Sequence, residues 1–201
     1  MSGRQRIGVF GGTFDPVHVG HLIVAADLRF ALRLDRLLFV PAGRPPHKAA
    51  DLVSNDEHRL AMLDLAMADD PAAEISTIDL ERLGPSYTAD LLTTLQERLP
   101  DCRLVFLMGE DSLRDLPSWR DPERIVRLAE LGVATRPGVE FDLEDVYRQI
   151  PNARGRVFVV ETVQLSISSS DIRRRVRQGA PIRYQVPVAV ERYITERGLY
   201  R

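Results

Sequence analysis

Short apolar runs recur along the chain at 7–10, 37–40, 74–78, 104–108, 131–135 and 157–160. They have the length and composition of buried strands. Longer stretches between them space their apolar residues as helices do. Residues 22–34 are predicted to carry Leu22, Ala26, Phe30 and Leu34 on one side. Residues 57–68 form a second predicted helix, with Ser54 and Glu57 as a capping box. A third runs to about 99, with Ser86 as its N-cap. Shorter helices follow 109 and occupy 122–128 and 144–149. Ser168 to Asp171 cap a helix through 177, and Pro187 opens the last one, to about 197.

Strands alternating with helices imply an α/β fold: a Rossmann-like, doubly wound parallel sheet with helices on both faces. The expected organisation is one domain over 1–201, with a C-terminal helical portion from about 168. Ligands of such sheets bind beyond the carboxyl ends of the strands, near the point where strand order reverses. The segments at 11–20, 42–48, 109–111 and 136–138 all follow strands. Topology therefore brings them to one edge.

Composition narrows the partners. The 201 residues are 44% apolar and 28% charged, with a net charge of −2. That suits a soluble globular protein with a real core, and it offers no basic field for nucleic acid or anionic membrane. No run approaches the ~20 apolar residues of a membrane helix. Residues 1–6 lack the apolar centre of a signal peptide. Cys102 is the sole cysteine, so no intrachain disulfide can form. A cytoplasmic location is expected, and a homo-oligomer is left open.

The densest chemistry follows the first strand. Gly11 and Gly12 let the backbone turn and approach a ligand closely, ahead of Thr13, Phe14, Asp15 and Pro16. His18, Gly20 and His21 stand at the start of the next helix. Strand, glycine loop and helix N-terminus together aim unpaired N–H groups at one point, which suits a phosphate. His18 and His21 are three apart and share a side. Their imidazoles can donate to phosphate oxygens and carry charge near neutral pH. As zinc ligands they lack a third partner of clear spacing, and no metal ligand set is assigned. Ser168, Ser169 and Ser170 offer a second cradle at a helix start, or only a cap. Of Arg173, Arg174, Arg175 and Arg177, consecutive residues point different ways, and only Arg173 is expected to face the site.

The run Gly-Gly-Thr-Phe-Asp-Pro-x-His-x-Gly-His at 11–21 resembles the signature of the nucleotidyltransferase superfamily whose sites carry His-x-Gly-His. Ile167 to Arg173 is similar to that superfamily's Ile-Ser-Ser-Thr-x-Ile-Arg motif, with Ser170 in place of Thr. Pro45-Pro46-His47-Lys48, Ser86-Tyr87-Thr88, Gly109-x-Asp111 with Trp119, and Arg136-Pro137-Gly138 resemble bacterial nicotinate-mononucleotide adenylyltransferase. The likeness spans Ile7 to Tyr200. It implies attack of the 5′-phosphate of nicotinate mononucleotide on the α-phosphorus of ATP, giving deamido-NAD and pyrophosphate.

The resemblance implies catalytic roles for His18, His21 and Arg173. It implies ATP contacts at Gly11, Gly12, Thr13, Phe14, His18, His21, Gly109, Ser168, Ser169, Ser170 and Arg173. Substrate contacts fall on His47, Lys48, Tyr87, Thr88, Ala89, Asp111, Trp119 and Arg136. Mg²⁺ would be bound through the ATP phosphates. Trp119 is a stacking platform or a core residue, and Asp111 a ligand contact or a helix cap. Other superfamily members remain as alternatives, such as nicotinamide-mononucleotide or pantetheine-phosphate adenylyltransferase or a cytidylyltransferase. So does a non-catalytic nucleotide-binding module.

Overall fold

The computed structural model describes residues 4–43, 54–82, 84–136, 138, 142–163 and 165–201. Its strands are β1 (Arg6–Gly12), β2 (Arg36–Pro41), β3 (Ala73–Ile75), β4 (Arg103–Gly109), β5 (Ala129–Thr135) and β6 (Val157–Glu161). They form one sheet in the order β3-β2-β1-β4-β5-β6, and every pairing is parallel. Strand order therefore reverses between β1 and β4, where Phe10 pairs with both Phe39 and Leu107.

Both faces of the sheet are covered, as expected. Side chains alternate across a strand, and here each side feeds its own core. Ile7, Val9, Leu38, Val40, Leu104 and Phe106 pack on one face. Phe10, Leu37, Phe39, Val105 and Leu107 pack on the other. The first face meets α3 (Thr88–Arg98), α5 (Pro122–Leu128) and α6 (Glu144–Gln149). The second meets α1 (Val19–Ala31), α2 (Asp56–Met67), α7 (Ser169–Arg177) and α8 (Val188–Glu196). A short α4 (Glu110–Asp115) follows β4 directly.

Local expectations fail in several places. Helix α1 stops at Ala31, its buried residues are Ala25 and Leu28, and Phe30 is 88% exposed. Leu34 is buried, but from the turn that leads into β2. The capping box of Ser54 and Glu57 does not form. The N-cap of α2 is Asn55, and the Ser54 N–H instead donates to Asp15 Oδ2 at 3.0 Å. Tyr87 rather than Ser86 is the N-cap of α3, β3 ends at Ile75, and Pro187 is itself the N-cap of α8. The cap of α7 is as expected: the Ser168 side chain accepts from the Asp171 N–H.

Candidate active site

The loop after β1 is set by sterics. A Cβ on Gly12 would stand 2.8 Å from the Phe14 ring, so only glycine lets that ring fold back onto the strand. Phe14 itself has a left-handed φ of 50°, rare for a bulky residue, and is 1% exposed. Its ring is held edge-on by Phe10 and His21, at centroid separations of 5.9 and 5.1 Å. The far end of the loop is pinned by Arg59, fully buried on α2, whose Nη1 donates to the Thr13 carbonyl at 2.9 Å. The other terminal nitrogen of Arg59 donates to Asp56.

His18 is the N-cap of α1 and is buried. Its ring stacks on His21, with centroids 3.6 Å apart and planes 20° from parallel. The His18 backbone N–H donates to His21 Nδ1 at 3.2 Å. An accepting Nδ1 fixes the proton of neutral His21 on Nε2, the edge facing away from the backbone. Both rings line a cavity of about 200 Å³ with Phe10, Gly109 and Ile167.

Burial pushes the His18 pKa down to about 4, so His18 is neutral near pH 7. The expectation of two charged imidazoles is thus corrected for His18. A stability cost at acid pH follows. The unfolded imidazole takes up a proton below its ordinary pKa of about 6.5, whereas the folded one does so only below about 4. Between pH 7 and pH 4 this one group is expected to remove about 3 kcal/mol of stability. Urea unfolding at both pH values checks it: His18→Asn should lose less stability on acidification by that amount. Equal losses would refute it.

Helix α7 closes the site from the other side. The three serine hydroxyls are already committed within the protein. Ser168 caps, Ser169 Oγ donates to the Pro16 carbonyl at 2.9 Å, and Ser170 Oγ accepts from Arg173 Nη2 at 3.3 Å. Ser169 thus ties α7 to the Asp15-Pro16 turn, Ser168 and Ser170 bond within α7, and the backbone N–H groups of Ser169 and Ser170, ahead of the capped Asp171 N–H, stand at the helix start where an anion can be met. Arg173 Nη1 donates to the Asp15 carbonyl at 2.6 Å. Arg175 turns away to the Pro181 carbonyl, as the helical-face argument expects.

A second, larger space lies toward α3. Ser86, Tyr87, Thr88, Trp119 and Arg120 line a cavity of about 630 Å³. A smaller adjoining one of about 150 Å³ shares Tyr87, Thr88 and Trp119 and reaches Gly11 and Gly12. Trp119 packs on the core, as one of its two readings expects, and also faces cavities. It meets Phe106 edge-on at 6.2 Å against the core, and it walls both cavities. The Arg120 guanidinium sits 4.5 Å over the Tyr87 ring. Tyr87 makes no side-chain cap to α3. The amides of Thr88 and Ala89, in the first turn, have no carbonyl a turn earlier to bond.

Residues 9–175 match the family model of cytidylyltransferase-like proteins. A relative from Thermomicrobium roseum, named "probable nicotinate-nucleotide adenylyltransferase", is 56% identical over 98% of this chain and 92% of its own. The chain belongs to this family. A Roseiflexus relative of the same name is 48% identical, over 97% of this chain and 98% of its own. Nicotinic acid mononucleotide adenylyltransferase of Plasmodium falciparum, solved in complex with NaAD, superposes with a TM-score of 0.78 over 98% of this chain and 97% of that one. At 23% identity that likeness speaks for the fold.

Within this nicotinate-nucleotide adenylyltransferase family member, the expected site residues divide into groups. His18, His21 and Gly109 share the smaller histidine-lined cavity, and Gly11, Gly12, Tyr87, Thr88 and Trp119 share the space toward α3. Ala89 and Phe14 are buried, so neither offers a side chain to a ligand. Asp111 neither caps α4, whose N-cap is Gly109, nor lines these cavities; its carboxylate is 81% exposed and pairs with Arg114. Arg136 is exposed beyond β5, outside the described lining of these cavities. His47 and Lys48 lie outside the described residues. Sequence reasoning missed Arg59, Arg120 and Tyr200. Each acts through a partner distant in sequence, and nothing in the local pattern marks it.

Proposed function

We propose that this chain transfers the adenylyl group of ATP to nicotinate mononucleotide, giving deamido-NAD and pyrophosphate in NAD biosynthesis. One observation carries the reading: a cavity walled by the stacked histidines lies beside Phe10 of β1, and one walled by Trp119 and the open start of α3 adjoins a smaller space that reaches Gly11 and Gly12. They lie at the reversal of strand order, the binding crevice of a doubly wound sheet.

The acceptor's 5′-phosphate oxygen attacks the α-phosphorus, and the bond to the pyrophosphate oxygen breaks. The nucleophile is an anion already, so the chain supplies alignment and charge neutralisation rather than a nucleophile of its own. His21 Nε2–H donates to the α-phosphate as charge develops there. Neutral His18 orients His21 through stacking and its backbone N–H. The first amides of α7 and the guanidinium of Arg173 hold the β- and γ-phosphates. The pyridine ring lies against Trp119, with its carboxylate at the amides of Thr88 and Ala89.

Mg²⁺ would be held by the ATP phosphates and water rather than by a protein cage, and would supply charge neutralisation there. Among the described residues no three His, Cys, Asp or Glu side chains gather as a metal site, and the steps above use only the chain's own groups. Among them, too, no helix is long and apolar enough to cross a membrane. A cytoplasmic setting belongs to the same reading, in keeping with the free thiol of Cys102.

The test is pyrophosphate release from ATP and Mg²⁺ with nicotinate mononucleotide, nicotinamide mononucleotide or pantetheine phosphate as acceptor. Release should depend on a pyridine mononucleotide. Release with pantetheine phosphate alone, or with no acceptor in the set, would overturn the proposal.

A further inference from the structure

We propose that Tyr200, next to the last residue of the chain, is a positioning residue that keeps Arg173 available to ATP by occupying the carboxylate of Asp15. The proposal rests on the reading of Arg173 as a phosphate-binding group.

The geometry is a buried junction of four chain segments. Asp15 is 1% exposed. Its Oδ1 accepts from the Tyr200 hydroxyl at 2.6 Å, and its Oδ2 from the Ser54 N–H at 3.0 Å. Two neutral donors thus satisfy a carboxylate that burial would otherwise leave in want of a cation. Arg173 is the nearby cation, yet it binds elsewhere. Its Nη1 donates to the Asp15 backbone carbonyl at 2.6 Å and stands 4.0 Å from Oδ2. Its Nη2 reaches Ser170 at the start of α7. The guanidinium is therefore aimed along the phosphate cradle rather than folded onto the carboxylate.

Tyr200 is itself held in place. It has a left-handed φ of 65°, unusual for a residue with a side chain, and its hydroxyl also approaches Met62 Sδ at 3.9 Å. Burial, and then the negative charge of Asp15, push the hydroxyl's pKa up, so it remains a protonated donor. The bond joins positions 185 residues apart, which makes seating of the C-terminus a condition for the site loop and Arg173 to share one arrangement.

Removing the hydroxyl orphans Oδ1. The nearby cation, Arg173, already 4.0 Å from Oδ2, can then shift onto the carboxylate, at the expense of the phosphates. Tyr200→Phe keeps the ring and is expected to raise KM for ATP about tenfold, the loss of one charged hydrogen bond. Both kcat and KM for nicotinate mononucleotide should stay within about twofold. Neutralising the carboxylate removes the pull on Arg173, so Tyr200→Phe combined with Asp15→Asn should recover most of the ATP affinity. In an Arg173→Ala background Tyr200→Phe should add nothing.

Steady-state kinetics and calorimetric ATP binding on these four variants decide the matter. A rise in KM shared equally by both substrates, no recovery with Asp15→Asn, or an added effect in the Arg173→Ala background would each make Tyr200 a merely structural residue and overturn the proposal. If Arg173→Ala alone leaves ATP binding unchanged, the phosphate-binding reading of Arg173 fails, which is a separate result.

Discussion

Replacing His21 by alanine should lower kcat by about 10²–10³ at saturating substrates, the usual cost of removing one preorganised donor from a charge-developing transition state. The structure says which nitrogen matters. Nδ1 is occupied by the His18 N–H, so under the proposed mechanism the donor is Nε2–H. The ring is clamped between His18 on its face and Phe10 and Phe14 at its edges, which fixes the direction of that donor before ATP arrives. Glutamine can set an amide nitrogen near the place of Nε2, whereas asparagine reaches only the place of Nδ1. His21→Gln should therefore retain part of the rate that His21→Asn loses. Thermal melts of the variants separate this from misfolding. A kcat for His21→Ala within about threefold of the parent, or Asn outperforming Gln, would remove His21 from the chemistry.

Much of this arrangement is local in origin and so legible in the chain. The strands carry dense Val, Leu and Phe, and the Gly-Gly turn and the helix start at His18 are fixed by residues adjacent in sequence. The failures have physical causes. Reading Leu22, Ala26, Phe30 and Leu34 as one face uses a spacing of four, which drifts against the 3.6-residue turn. Phe30 then falls about 200° round the helix from buried Leu28. Ser54 fits a capping box by pattern, but its N–H is drawn to the buried charge of Asp15, which no local rule reports. The neutrality of His18 is a consequence of burial, and burial is a tertiary property.

The same limit applies to the junction that ties Thr13, Asp15, Arg59, Arg173 and Tyr200 together. Its bonds span 46, 158 and 185 residues. The motif residues are legible because they cluster around one turn. The residues that hold the turn in shape are scattered because any element packed behind it can supply them. For this fold the supply comes from α2, α7 and the C-terminus, all on the face opposite α3. In the proposed reading the face toward α3 is left to recognise the acceptor.

That division bears on acceptor choice. The acid, nicotinate mononucleotide, should be preferred over the amide by roughly 20- to 700-fold in kcat/KM. A charged hydrogen bond contributes about 1.5–3 kcal/mol and a helix N-terminus about 0.3–1, and each 1.4 kcal/mol is a factor of ten. Thr88, the first residue of α3, lines the Trp119 cavity, and the helix start there has no side-chain cap. Asp90, two residues on, would repel the carboxylate if its charge stood alone. It does not point freely to solvent: Arg82 reaches it at 3.3 Å, and Arg124 pairs with it closely. Arg120 adds a further cation at the cavity wall. Its guanidinium carbon lies 4.5 Å from the Tyr87 ring centroid, a cation–π distance. Arg120→Gln should therefore reduce the acid-to-amide ratio several-fold while leaving KM for ATP unchanged, since the ATP-side groups lie across the β1 loop. The comparison is kcat/KM for both mononucleotides at saturating ATP. A ratio near one in the parent would show that the start of α3 does not read the carboxylate. An unchanged ratio in Arg120→Gln would assign the preference to the backbone amides alone.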